Sequence, residues 1–283
     1  MSLRTLRQII PASRVSDGAG VTIHRSIGTP ALRQYDPFLM LDQFGSDDPN
    51  DYIAGFPDHP HRGFITLTYM LDGHMRHRDS MGNQGELRAG GVQWMKAASG
   101  VIHSEMPQQE RGLMRGFQLW LNLPAAEKMA DPAYRDIPAE AIPEVESEGV
   151  RVRVIAGDYG GRRGPVEDPH TGLLYLDVAL EPGRDFTHRL DLGAQAFAYV
   201  FEGGARIGDR AAPAHHLLLL GPGETVELAA GDEGGRLILV AGRPLREPVV
   251  HYGPFVMNTR EEILQAIDDY NRGRLVRRRA EPA

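Results

Sequence analysis

The residues best able to do chemistry in this chain lie between Asp58 and Pro107. That stretch opens on His59-Pro60-His61 and closes on His103-Ser104-Glu105, four metal-capable side chains in two pairs spaced i, i+2. Side chains two apart on a strand share a face, so each pair aims together. If the two segments lie side by side, three imidazoles and one carboxylate meet at one point. That donor set suits a divalent ion such as Fe, Mn, Co, Ni, Cu or Zn. Pro60 fits a strand entrance, because it biases His59 towards extended geometry and donates no ladder hydrogen bond.

The elements that must position these residues read as β structure. Phe64 to Leu71 is rich in β-branched and aromatic residues and ends at Asp72-Gly73, which predicts a hairpin. Gly82-Asn83 and Gly90-Gly91 punctuate the next runs, and Val92-Gln93-Trp94-Met95 reads as a further strand with Trp94 in the core. Before the stretch, Arg14 to Ile27 reads as a strand pair and Phe38 to Phe44 as a buried run. After it, Phe117 to Leu123 alternates apolar and polar residues as a half-buried strand should. Pro124 to Met129 predicts a short helix, and the Pro-rich, acidic segment Asp131 to Glu148 predicts a link between domains.

Beyond that link the pattern repeats. Tyr69-Met70-Leu71-Asp72-Gly73 has an echo in Tyr199-Val200-Phe201-Glu202-Gly203, which implies two copies of one β module. The copies differ chemically. The offsets that give His59 and His61 before Tyr69 give Arg189 and Asp191 before Tyr199. His188 stands alone, and the adjacent His215 and His216 point to opposite faces. The metal site is therefore expected in the first module only, with a division into residues 1–135 and 136–283. At the end, Thr259-Arg260-Glu261-Glu262 forms a capping box for a helix that carries Ile263, Ile267 and Tyr270 on one face and ends at Gly273.

Composition excludes several classes. The 283 residues are 41% hydrophobic and 24% charged, as in ordinary globular proteins, and the net charge of −7 gives no general pull on nucleic acid. The basic tail Arg272, Arg274, Arg277, Arg278 and Arg279 is read as a solvated end. The absence of cysteine removes disulfides, thiolate metal sites and thiol redox switches. Met1-Ser2-Leu3-Arg4 lacks the apolar core of a signal peptide, and no apolar run reaches membrane-spanning length. The expected location is the cytoplasm.

Three motifs together resemble the pirins, two-barrel members of the cupin superfamily. They are Phe56-Pro57-Asp58-His59-Pro60-His61-Arg62-Gly63-Phe64, Gln93-Trp94-Met95 and His103-Ser104-Glu105-Met106-Pro107. Gly253-Pro254-Phe255-Val256-Met257-Asn258-Thr259 and the helix after it are also similar to the pirin C-terminal segment. The resemblance implies an all-β chain of two antiparallel cupin (jelly-roll) barrels plus a short C-terminal helix. It places one iron-type metal, Fe(II) first, on His59, His61, His103 and Glu105, the four residues already reached from spacing.

One departure stands out. The general cupin pattern and many pirins carry a glutamate where this chain has Ile65, which strand alternation from His61 would aim into the same cavity. Two function classes follow from the resemblance. The first is a quercetin 2,3-dioxygenase-like oxidoreductase that opens a flavonol with O2. Four ligands leave two positions of a six-coordinate Fe(II) for a small aromatic substrate and O2, and Glu105 would accept the substrate's proton. The second is a non-enzymatic, iron-dependent regulator with a transcription factor or metabolic enzyme as its protein partner. A zinc-dependent sugar isomerase of general cupin type ranks third.

Overall fold

The computed structural model describes residues 2–277, so Arg278 and Arg279 of the basic tail lie outside the described residues. Strands dominate, and the α-helix among the described residues is Arg260–Asn271. The chain forms two compact units, and they do not follow a linear break at 135/136. One takes the segment ending at Ser13, Thr29–Pro37 and Glu140–Pro244; the other takes Arg14–Gly28, Phe38–Ala139 and the segment from Leu245 onward. The reason is strand pairing that hydropathy cannot show. Leu6–Pro11 runs antiparallel to His216–Leu220, with Leu6 opposite Leu220 and Pro11 opposite His216. The C-terminal segment in turn packs on the unit that carries the ligand pairs.

That unit contains two sheets. The larger has the strand order Ala133–Ile137, Val92–Lys96, Phe64–Asp72, Met114–Asn122, Phe38–Ser46, Val21–Ile27, Ser13–Asp17. The smaller runs Phe56–His61, Val101–Pro107, His74–Asp79, Gln84–Arg88. Their inner faces meet, since Thr68 of the larger sheet lies 3.0 Å from the Glu105 carboxylate of the smaller. One end of the interior is apolar, built from Val21, Ile23, Phe44, Met70, Met75, Leu87 and Met114. The polar residues collect at the other end.

Three sequence expectations change here. Asp72-Gly73 is not a hairpin. Phe64–Asp72 pairs with Val92–Lys96 and Met114–Asn122, whereas His74–Asp79 joins the smaller sheet and pairs with Gln84–Arg88. Gly73, at φ +96°, turns the chain from one sheet into the other. The hairpin is formed instead at Gly82-Asn83. The presumed interdomain link is also largely paired: Ala133–Ile137 extends the larger sheet beside Val92–Lys96, and Glu144–Ser147 pairs with Val150–Ala156 in the other unit. Before both, Ala125–Glu127 is a single 3₁₀ turn where a short helix is expected.

The other unit is a nine-stranded sheet system whose longest members are Gln195–Ile207 and Thr225–Gly242. Its interior is filled by aliphatic and small side chains from Val152 through Leu239, together with Phe186. The echo of Tyr69–Gly73 behaves differently there: Gln195–Ile207 continues as one strand through Gly203, where the first copy turns at Gly73.

The terminal helix forms as its capping box predicts. Thr259 accepts from the Glu262 backbone, and the Glu262 carboxylate accepts from the Thr259 backbone. Ile263 and Ala266 are buried with Phe255, Met257 and Leu275, and Ile102 of a ligand-bearing strand packs against them. Tyr270 is 40% exposed and meets Phe255 only edge-on. Gly273 ends the helix at φ +66°.

Candidate metal centre

His59 and His61 sit on Phe56–His61, and His103 lies directly opposite His59 on the neighbouring strand. The three imidazoles converge, with one candidate ligand atom from each lying within 4.8 Å of the others. His59 Nε2 and His61 Nε2 are 3.1 Å apart, and the ring of His103 lies 4.3 Å from that of His59 and 4.9 Å from that of His61. His61 and His103 are buried, and burial first, then the neighbouring imidazoles, holds both rings well below the ordinary histidine range. Neutral rings are what a metal needs.

The rings are oriented for it. His59 Nδ1 donates to the Pro57 carbonyl at 2.7 Å, which leaves Nε2 as the lone-pair atom. His103 Nε2 is buried with no hydrogen-bond partner, as is His61 Nδ1. A buried His103 nitrogen without a partner, in a cluster of three imidazoles, fits a divalent ion, which would be held by His59, His61 and His103.

Glu105 shares the inner face but stands beside the imidazole cluster. Its Oε2 accepts from Gln118 Nε2 at 3.2 Å. Thr68 Oγ1 lies 3.0 Å from Glu105 Oε1 and 2.6 Å from Gln118 Oε1, so one hydroxyl proton serves two oxygens. Thr68 and Gln118 face each other across adjacent strands. Neither stands out in the sequence. The signal is a polar residue at an inward position of an otherwise apolar strand.

Ile65 is not where alternation from His61 puts it. The smaller sheet ends at His61, and the larger begins at Phe64. Gly63, at φ +94°, makes the corner; a Cβ there would come within 1.9 Å of the Val256 carbonyl oxygen. Alternation restarts beyond that corner, and the pairing of Phe64–Asp72 is regular from Phe64 to Met70. Thr68 faces the site, so Phe64 and Thr66 do as well, while Ile65, Leu67 and Tyr69 face away. Accordingly the Phe64 ring lies 5.0 Å from the His61 ring.

Several pieces of sequence lock the corner. Arg62 is 1% exposed; its Nε donates to the Ser99 carbonyl and its Nη1 pairs with Asp269 of the terminal helix at 2.9 Å. Lys128 Nζ donates to the Gly63 carbonyl, the Asn122 amide oxygen and the Val256 carbonyl at 2.7, 2.6 and 3.0 Å. Burial lowers the pKa of Lys128 to about 8.

The metal cluster opens onto a cavity of about 650 Å³. Met40, Phe44, Phe56, Met75 and Trp120 make its apolar walls, and His251 and Pro254 of the C-terminal segment contribute to its lining. Trp120 stacks on Phe64 at 4.2 Å and meets the His61 ring at 5.0 Å. A polar row also lines it: Arg25 forms a two-point ion pair with Asp42 at 2.8 and 2.7 Å and reaches Asp17 at 2.6 Å. Burial raises Asp42 to about 6 despite that partner.

Sequence reading also passes over His77 and Asp79, a third same-face pair. His77 lies opposite Glu105, and Asp79 opposite His103. The signal is another His-x-acid spacing, His77-Arg78-Asp79.

In the other unit, His188 sits against Tyr159 at 5.4 Å, and burial lowers its pKa. His216 Nδ1 donates to the Ala214 carbonyl at 3.0 Å. The converging imidazole group among the described residues is the one in the first unit.

Comparison with known proteins agrees with this picture. The family described as Pirin matches residues 20–121, and the Pirin C-terminal cupin domain matches residues 175–276. A pirin-like protein of Caulobacter vibrioides is 48% identical over 276 residues, covering 97% of this chain and 100% of that protein. Human pirin is 43% identical over 261 residues, covering 90% and 88%. The crystal structure of a quercetin 2,3-dioxygenase from Acinetobacter baumannii superposes with a TM-score of 0.89 at 32% identity, covering 96% of this chain and 98% of that one. With two cupin domains, a His-rich site in the first and relatives of this similarity along nearly its whole length, the chain belongs to the pirin family.

Proposed function

We propose that this chain is a metal-dependent dioxygenase that opens flavonols with O2, using one divalent transition metal, Fe(II) first, on His59, His61, His103 and Glu105. The carrying observation is the convergence of three imidazoles, two of them buried and held neutral, beside a fixed carboxylate on one wall of an aromatic-lined cavity. Its similarity to a quercetin 2,3-dioxygenase structure supports the substrate class. When bound, the metal supplies Lewis acidity and one-electron chemistry towards O2.

The protein's own residues do the rest. Trp120, Phe44 and Phe56 offer flat apolar walls that hold a planar aromatic ring and exclude water. Glu105 accepts the proton of the acidic hydroxyl, and Gln118 and Thr68 hold its carboxylate in place for that transfer. Asp17, Arg25 and Asp42 offer acceptors and a donor for hydroxyl groups at the far end of the substrate. No helix among the described residues is long and apolar enough to cross a membrane; we place the protein in the cytoplasm.

The test is metal analysis of protein purified without added metal, followed by aerobic turnover of a flavonol panel. The expected result is about one metal per chain and consumption of a flavonol with O2. Full metal occupancy with no turnover of any flavonol overturns the enzyme and leaves the iron-dependent regulator with a protein partner.

A further inference from the structure

We propose that His77 and Asp79 form a buried hydrogen-bond relay that sets the tautomer of His103 and strengthens it as a metal donor. This rests on the metal-centre reading above. His77 is 1% exposed, and the Asp79 side chain is fully buried. Neither lines the cavity, so neither is placed to touch substrate.

The proton positions along the relay follow from one requirement. His103 Nε2 is the orphan nitrogen left for coordination. A lone pair there puts the proton of the neutral ring on Nδ1, which faces His77 Nδ1 at 3.4 Å. His77 Nδ1 must then accept, so its own proton is on Nε2, and Nε2 donates to Asp79 Oδ2 at 3.3 Å. The reverse assignment would leave Asp79 facing a lone pair and protonate the coordinating atom of His103. Only one direction satisfies every group.

Both members are held in place independently of the metal. The ring of His77 stacks on Tyr134 at 4.4 Å and 19°. Asp79 accepts from the backbone nitrogens of Met81 and Asn83 at 2.9 and 3.0 Å and from Asn83 Nδ2 at 2.8 Å. His103 thus has a carboxylate behind it through one imidazole, whereas His59 has only the neutral Pro57 carbonyl. A backing carboxylate raises ligand basicity, and loss of such a partner typically costs about 10- to 100-fold in metal affinity.

His77→Asn and His77→Leu separate this role from packing, because both side chains branch at Cγ as histidine does but only Asn offers an acceptor to His103 Nδ1. The probe is Co(II), titrated into metal-free full-length protein, with its visible ligand-field spectrum recorded. The expected outcome is a loss of about 10- to 100-fold in Co(II) affinity and a changed spectrum for His77→Leu, with His77→Asn recovering most of both. Asp79→Asn keeps an acceptor for the turn at Met81 and Asn83. It should weaken Co(II) binding to an intermediate degree and raise the Fe(III)/Fe(II) potential, so the relay remains testable if His77→Leu does not fold. Equal affinities and spectra for the Leu and Asn variants, or an Asp79→Asn protein indistinguishable from wild type, overturn the relay while leaving the metal centre intact. Wild-type protein that binds no Co(II) overturns the metal centre itself, and the relay with it.

Discussion

At the residue scale, the site depends on donors that are aimed before any ligand arrives, with His61 and His103 buried and held neutral. His61 is a buried member of the three-imidazole cluster, and losing it leaves two imidazoles. His61→Ala should lose most of the bound metal while the fold persists, measured as metal per chain after dialysis against the wild type run in parallel. Retention of a full equivalent would show that the imidazoles do not act together. Ile65 makes the opposite case. Its side chain is 2% exposed on the face turned away from the site. Ile65→Glu therefore buries an unpaired carboxylate and should cost about 3 kcal/mol or more in unfolding free energy. It should leave Co(II) affinity and spectrum of the folded protein near wild type. Denaturant unfolding and a Co(II) titration check the two parts, and a new ligand signature would mean that the 65 side chain reaches the metal.

At the scale of elements, the corner at Arg62-Gly63 organises the site, and Lys128 is its clamp. The ammonium satisfies three oxygens that water does not reach. Lys128→Met removes the donors and should destabilise the protein by about 2 to 4 kcal/mol at pH 7. The pH dependence has a definite sign. The folded-state pKa of about 8 lies below the ordinary lysine value of 10.5, so between those values the unfolded chain binds more protons. Stability contributed by this group therefore rises with pH across that window, as the cost of burying the charge disappears. Unfolding free energies of wild type and Lys128→Met at pH 7, 8.5 and 10 should show a wild-type advantage that grows with pH. A difference independent of pH would mean that burial does not lower the pKa of Lys128.

At the scale of the whole molecule, the units exchange their terminal segments. The ligand-bearing unit depends on residues after Leu245, because His251 and Pro254 line its cavity and Asp269 neutralises the buried Arg62. A fragment of residues 1–139 keeps all four proposed ligands yet leaves Arg62 without its carboxylate. Removing one partner of a buried pair costs about 3 to 5 kcal/mol. The fragment should melt well below the full chain and hold metal poorly, as thermal denaturation and metal analysis would show. A fragment as stable and as metal-replete as the full chain would mean that the C-terminal segment is an accessory.

Much of this protein was legible in its sequence because short-range rules decide it. The i, i+2 pairs at His59/His61 and His103/Glu105 needed only strand alternation to share a face. The capping box at Thr259 is a local hydrogen-bond pattern, and the strands at Phe38, Phe64, Val92 and Phe117 follow from side-chain type. Tertiary structure decided where alternation starts and which sheet each strand joins. One left-handed glycine, Gly63, resets the phase and turns Ile65 away from the candidate metal site. Another, Gly73, converts an expected hairpin into a crossing between sheets. On Met114–Asn122 the alternation was readable, but its meaning was inverted: Gln118 and Trp120 face the cavity, while Phe117, Leu119 and Leu121 are buried on the other side. The pairing of Leu6–Pro11 with His216–Leu220, like the contact of Arg62 with Asp269, joins residues more than two hundred positions apart. No local rule reaches that far, because such contacts are chosen by which surfaces remain to be buried once the neighbouring strands have formed.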